Sequence, residues 1–439
     1  MSEPFTKVKL SNGLQVMLKE IHTAPIISHW IWYRTGSRDE VTGITGASHW
    51  VEHMQFKGTQ KYPASILDRA ISREGGVWNA FTYIDWTTYF ETMPADKIDL
   101  ALDLEADRMQ SSQFLEEDVE SERTVIISER QGKENSPMFR LAEEVQAAAF
   151  RVHPYHHEVI GDMPDLQSMQ RSDLFNHYRK HYIPNNAVLV MAGDFDSDPM
   201  LKNIEDLYSS IPAGSEPNRL IRPEPSQRGE RYLTVEGPGE TTFIQVVYHA
   251  PEADHTDFFP LTVLDSLLTG PSGLNMFGGG ISNKTSRLYR NLVEQELAVS
   301  VSGGLQATID PFLYTVTLTV HPQKSSQELL TALDAEIQST LEGAPTKQEL
   351  ERAVKQARAL FVYGSESITN QAFWMGFSEM FATYDWFINY IEQLISVTPE
   401  DVLRVAQQYL TPQNRIVGVY LPTNDKHDAT AIHEQGGPK

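Results

Sequence analysis

The most constraining feature of this sequence is that it closes twice in the same way. Ser172-Asp173-Leu174 opens a helical stretch that runs into Tyr182-Ile183-Pro184-Asn185-Asn186-Ala187-Val188-Leu189-Val190. Thr398-Pro399-Glu400-Asp401-Val402 opens another, which runs into Leu410-Thr411-Pro412-Gln413-Asn414-Arg415-Ile416-Val417. Pro184 and Pro412 are 228 positions apart, and so are Asn186 and Asn414. A helix, an x-Pro-x-Asn turn and an apolar strand thus end each half, which implies a duplicated architecture. At 439 residues the chain has room for two such units, each large enough to bury its own core.

Local patterns fill in the first half. Thr6 to Leu10 and Leu14 to Leu18 alternate around a Ser11-Asn12-Gly13 turn, a hairpin signal. Ile26 to Tyr33 reads as a third strand, and Gly43 to Phe56 as a helix stopped by Gly58. Pro63 opens a helix that ends at Gly75-Gly76, and Val77 to Met93 holds two β segments rich in Trp, Thr, Tyr and Phe. Helices follow over 95–110, 115–134 and 138–150, with Pro137 separating the last two. Residues 212–230 carry Pro212, Pro217, Pro223 and Pro225 without apolar periodicity and read as a linker. The expectation is an α+β chain of two tandem, similar α/β sandwich domains, 1–211 and 231–427, with a frayed tail over 428–439. Each domain is expected to set an antiparallel-type sheet against helices on one side. Trp374 and Trp386 are expected in the core of the second domain.

The chemistry is narrowed by what is missing. The chain has no cysteine, which excludes disulfides, zinc fingers, iron–sulfur clusters and thiol nucleophiles. Any bound metal must rest on histidine and carboxylate. His49-Trp50-Val51-Glu52-His53 offers such a set, since histidines four apart on a helix share one face a turn apart. Glu52 stands beside that face, where a carboxylate can take a proton from water on the metal. The H-x-x-E-H order is the inverse of the common zinc motif. A catalytic zinc needs a third protein ligand, and the acidic helix 116–134 is the obvious supplier. There Glu122 and Glu129 lie two helical turns apart around the apolar Val125-Ile126-Ile127. They read either as carboxylates of a packed face that needs a partner or as members of a solvated acidic face.

These residues carry a strong resemblance to the M16 peptidases, the pitrilysin, insulin-degrading and mitochondrial-processing-peptidase group. Gly46-Ala47-Ser48-His49-Trp50-Val51-Glu52-His53-Met54-Gln55-Phe56-Lys57-Gly58-Thr59 is similar to the signature of that family almost throughout. Ser11-Asn12-Gly13-Leu14 and Gly36-Ser37-Arg38-Asp39-Glu40 look like its opening strands. Gly75-Gly76-Val77-Trp78-Asn79-Ala80-Phe81-Thr82 resembles its substrate-edge segment, and His153-Pro154-Tyr155 with Ile160-Gly161 its next landmark. Glu122 to Glu129 resembles its third-ligand helix, with Glu129 76 positions beyond His53. The resemblance implies zinc, one ion per chain, on His49, His53 and Glu129, with Glu52 as the general base. It implies Glu122 as the carboxylate that orients a ligand histidine. An extended peptide would add to the strand edge at Asn79 and Ala80, although Asn79 also reads as an ordinary strand-end residue. His156 and His157, next to the His153-Pro154-Tyr155 landmark, could line the site but are read as surface residues of a loop.

The second half departs from the family. Gly278-Gly279-Gly280-Ile281-Ser282 and Ser286-Arg287-Leu288-Tyr289 resemble its glycine-rich loop and helix start. Active members then carry an arginine and a tyrosine seven apart that hold the developing oxyanion, whereas valines, Val293 and Val299, stand near both places here. Arg287, Tyr289 and Arg290 are out of phase and read as surface or loop residues. The resemblance therefore implies a zinc metalloendopeptidase that is half of a clamshell. A homologous subunit would supply the arginine–tyrosine pair, with a homodimer as a second possibility. A non-catalytic structural or peptide-binding subunit is the competing reading. The 36 Lys and Arg against 59 Asp and Glu give a net charge of −23. That charge disfavours nucleic acid and anionic membranes as partners and favours basic peptides. The first residues show no signal peptide and no apolar run spans a bilayer, so a cytoplasmic location is expected, or a periplasmic one if the chain is a mature form.

Overall fold

The computed structural model describes residues 5–217, 219, 222–271, 273 and 283–423. Strands β1 (Thr6–Lys9), β2 (Gln15–Glu20), β3 (Ile26–Tyr33), β4 (Val77–Thr82), β5 (Thr87–Pro94) and β6 (Ala187–Gly193) form a six-stranded sheet in the order β1-β2-β6-β3-β5-β4. Strands β7 (Arg231–Pro238), β8 (Phe243–Ala250), β9 (Ala298–Leu305), β10 (Phe312–Val320) and β11 (Arg415–Thr423) form a second sheet in the order β7-β11-β8-β10-β9. Without β1 the two orders are the same, and the repeated closing segments end as β6 and β11. The duplication seen in the sequence is thus a duplication of topology. Each sheet is mixed and not purely antiparallel, because the closing strand lies parallel to the opening one, β6 to β2 and β11 to β7. A strand that returns after a run of helices can take that direction, which a tight hairpin cannot.

The first half carries helices α1 (Ala47–Gln55), α2 (Ala64–Arg73), α3 (Ile98–Ser111), α4 (Glu116–Glu134), α5 (Pro137–Ala149), α6 (Met163–Ser168), α7 (Arg171–His181) and α8 (Ser197–Tyr208). The second carries α9 (Phe258–Leu268), α10 (Ser326–Glu342), α11 (Lys347–Tyr363), α12 (Ile368–Phe381), α13 (Tyr384–Ile388), α14 (Tyr390–Ser396) and α15 (Pro399–Tyr409). Among the described residues, no helix is long and apolar enough to cross a membrane. The segments expected as opening strands are the turns that bound them: Ser11 to Gly13 joins β1 to β2, and Ser37–Asp39 is a single 3₁₀ turn after β3. The glycine-rich stretch 278–282 lies outside the described residues.

Each half sets its own helices on one side of its sheet, but the opposite side is closed by a helix of the other half. In β3, Ile27, Ile31 and Tyr33 join the core under the first half's helices, while Trp30 and Trp32 join a core built largely from the second half. The helix over these tryptophans is α12: Trp30 and Trp32 pack at 5.6 and 5.5 Å from the Phe373 ring. Reciprocally, Leu141 and Val145 of α5 pack with Val247, Ile416 and Tyr420 of the second sheet. Burial on both faces explains why β3 is apolar nearly throughout rather than alternating. Glycine permits the close approach in both places. A Cβ on Gly376 would fall 2.0 Å from Trp32 Nε1, and one on Gly418 would fall 2.3 Å from Val145 Cγ2. Trp374 and Trp386 are buried, as expected of core residues.

Candidate metal centre

Helix α1 begins four residues later than its apolar pattern suggests. Gly46 takes φ +88° and a Cβ there would fall 2.5 Å from the carbonyl oxygen of Ile160, so the chain turns sharply and enters the helix at Ala47. Upstream, Asp165 accepts hydrogen bonds from the backbone of Gly43 and Thr45 and from the Thr45 hydroxyl, at 2.7–3.0 Å. From Ala47 onward, Trp50, Val51 and Met54 are buried. That anchoring turns His49 and His53 toward α4.

The two histidines and Glu129 converge. Glu129 Oε2 is 3.7 Å from His49 Nε2 and 3.7 Å from His53 Nε2. Among the described residues, this is the group of three whose donor atoms, within 4.8 Å of one another, suit a metal ion. Burial pushes His49 down to about 4, with His53 acting in the same direction. Its imidazole is therefore neutral near pH 7, with a lone pair to offer. Burial also opposes charge on His53, but the Glu122 hydrogen bond and the Glu52 and Glu129 carboxylates outweigh it and raise its pKa. His53 Nδ1–H donates to Glu122 Oε1 at 2.8 Å, which leaves Nε2 facing Glu129. Burial works to raise Glu122, yet the His53 and Lys57 contacts prevail and hold its carboxyl below the usual range.

Glu52 is held from the sheet side. Thr82, the last residue of β4, donates its hydroxyl to Glu52 Oε2 at 2.5 Å. Burial raises the Glu52 carboxyl above its ordinary pKa, against the pull of this bond and of His53. Strand β4 is the outer strand of its sheet and, among the described residues, pairs with β5 alone, Asn79 opposite Phe90 and Ala80 opposite Tyr89. The Asn79 side chain is exposed and its Oδ1 accepts the Ala80 N–H at 2.9 Å. An open strand edge therefore begins next to the carboxylate that flanks the histidines.

Residues 15–163 match the family model described as insulinase, peptidase family M16, and residues 168–357 match the one described as peptidase M16 inactive domain. The chain belongs to the M16 peptidase family. The zinc protease PqqE of Helicobacter pylori is 29% identical over 416 residues, 92% of this chain and 89% of that protein. The mitochondrial-processing peptidase subunit beta of Lentinula edodes is 27% identical over 419 residues, 93% of this chain and 88% of that one. The crystal structure of a protease from Helicobacter pylori has a TM-score of 0.88 at 27% identity, covering 96% of this chain and all of that one. Zinc is thus implied by relatives, and the residues here fit it. Ligands about 2.0–2.1 Å from one tetrahedral ion lie roughly 3.4 Å apart, close to the 3.7 Å separations found.

Several supporting residues are not evident from the sequence. Lys57 bonds Glu122, and Lys133 lies 3.1 Å from Glu129; both are one helical turn from a carboxylate-bearing or metal-facing position, a spacing that carries some signal. Thr82 closes β4, and its bond to Glu52 is a contact that the strand pattern alone does not suggest. His157 corrects an expectation: it is buried and not a surface residue, with Nε2 3.0 Å from Glu40 Oε2. His156 is only partly buried. Arg287 is engaged with Glu349, and Tyr289 packs against the second-half core, so both lie in structural contacts.

Proposed function

We propose that this chain is a zinc-dependent endopeptidase subunit that hydrolyses extended, unfolded peptides. The observation that carries this reading is the convergence of His49, His53 and Glu129 beside Glu52, next to the open edge of β4. His49, His53 and Glu129 would hold one zinc ion per chain, which would supply Lewis acidity to polarise a carbonyl and lower the pKa of water toward ~7. The remaining work belongs to the chain. Backbone groups of β4 around Asn79 and Ala80 take up the peptide by strand addition, with the Asn79 side chain giving up its bond to Ala80 N–H. Glu52 accepts the proton of the attacking water and passes it to the leaving amine, with Thr82 fixing the carboxylate for that transfer. Glu122 keeps His53 in the tautomer that presents Nε2.

The oxyanion donors are the missing part. Val293 and Val299 stand near the places where active relatives carry arginine and tyrosine, and loss of one oxyanion donor typically costs ~10²–10³ in rate. A second M16-type chain that brings an arginine–tyrosine pair completes the site in a clamshell, which agrees with a relative named as a subunit. A zinc-binding, non-hydrolytic role is the second reading, favoured by the inactive-domain description matched by residues 168–357. Turnover of an internally quenched peptide, measured with and without an M16 chain that carries the pair, separates them. Slow, chelator-sensitive cleavage is expected from the chain alone, with a large increase once the partner is added. Zinc uptake without cleavage in either condition supports the second reading, and full-rate cleavage by the chain alone removes the need for a partner.

A further inference from the structure

The best-satisfied buried carboxylate in the first half touches neither the metal ligands nor the strand edge. Glu40, in the loop after β3, has a side chain with no solvent exposure. Its Oε2 accepts from Gly46 N at 2.7 Å and its Oε1 accepts from Ser48 N at 2.7 Å. These are the cap and second residue of α1, so Glu40 satisfies the amino end of a helix whose own cap position is a glycine without a side chain. Amino-terminal helix N–H groups need partners when buried, and a carboxylate there also meets the positive end of the helix dipole. Oε2 accepts a third bond, from His157 Nε2–H at 3.0 Å.

The same helix end is held from a second side. The Ser48 hydroxyl donates to Gly36 O at 2.9 Å, so His177 Nε2–H, 3.2 Å away, must be the donor to it. His49 is the next residue. The helix that presents two of the three metal-facing groups is therefore located by contacts at its base, reaching to residues 117 and 129 positions away in sequence.

We infer that Glu40, braced by His157, is a positioning residue that sets the placement of α1 and thereby the convergence of His49 and His53 on Glu129. This rests on the metal reading above. It predicts a specific division of effects. With Glu40 shortened, α1 keeps its apolar anchors Trp50 and Met54 but loses the contacts that fix its amino end, where His49 sits. Metal affinity and the geometry around the metal should change more than the grip of β4 on peptide.

The test uses the full chain and its Glu40→Ala, Glu40→Gln and His157→Leu variants, all assayed well below their unfolding midpoints. Zinc affinity is read by chelator competition, and the site geometry by the visible absorption of the Co²⁺-loaded protein. Glu40→Ala is expected to weaken zinc by about tenfold or more, in the range seen when partners of metal ligands are removed, and to alter the cobalt bands. Glu40→Gln keeps one acceptor oxygen but sets an amide donor against the other helix N–H, so it should show a measurable shift smaller than that of Glu40→Ala; His157→Leu should give a smaller shift in the same direction. If Glu40→Ala fails to fold, His157→Leu and Glu40→Gln still decide, since both must then depart measurably from the parent. Folded variants that bind zinc with parental affinity and show parental cobalt spectra would overturn the inference, whatever their melting temperatures. Failure of the parent chain itself to take up zinc or cobalt would overturn the metal reading, and this inference with it.

Discussion

Glu122 shows how much of this site lies in single contacts. It accepts a hydrogen bond from His53 Nδ1–H and is itself paired with Lys57, so it both chooses the tautomer and holds the ring. Glu122→Ala should weaken zinc by about 10–100-fold, measurable by chelator competition, while the protein stays folded. Thr82→Val removes the hydroxyl that Glu52 accepts and should lower kcat several-fold with little change in KM, checked by steady-state kinetics. His49, Glu52 and His53 were readable from sequence because they share one helix, where spacing fixes direction, whereas Glu129, on another helix, was ambiguous there and was singled out only by the family resemblance. The pairs Glu40–His157 and Glu52–Thr82 were not readable, because their members stand 117 and 30 positions apart and no periodicity links them. His157 looked like a surface histidine since a loop carries it, and only the folded chain shows that the loop packs inward.

At the scale of elements, most of the strand and helix pattern was legible and the pairing directions were not. The hairpin β1–β2, strand β3 and helices α3 to α5 fall where apolar period and breakers put them. The parallel pairs β2–β6 and β7–β11 depend on where a strand returns after a long excursion, which local sequence does not encode. The helix exchange was equally hidden, although its trace is present in the doubly buried β3. It makes Gly376 a sensitive position: with a Cβ meeting Trp32 at 2.0 Å, Gly376→Ala should destabilise the protein by about 1–3 kcal/mol through overpacking. Gly343, where an added Cβ would meet nothing within 4 Å, serves as the control, and its alanine variant should unfold in denaturant close to the parent midpoint.

For the whole molecule, the exchange of α5 and α12 ties the two halves into one packed body. Arg38 of the first half reinforces the seam by reaching Asp310 of the second, with Nε 2.6 Å from Oδ2. The two halves should therefore unfold together, as a single calorimetric transition with matching calorimetric and van 't Hoff enthalpies; two resolved transitions would show that the seam is weak. In the clamshell proposed above, admission of a peptide would then come from movement between chains rather than between the halves of one. The net charge of −23 adds a long-range term that favours basic peptides. Their kcat/KM should exceed that of acidic peptides at low salt and the difference should shrink as ionic strength rises.

These scales meet at Glu52, which joins the metal-facing helix to the strand edge. The direct test compares zinc-loaded parent and zinc-loaded Glu52→Gln on one internally quenched peptide, with metal content measured on the same samples. With Glu52 as the base, zinc content should be unchanged and the rate at least ~10²-fold lower in the variant. Cleavage by the variant at the parent rate would contradict that role.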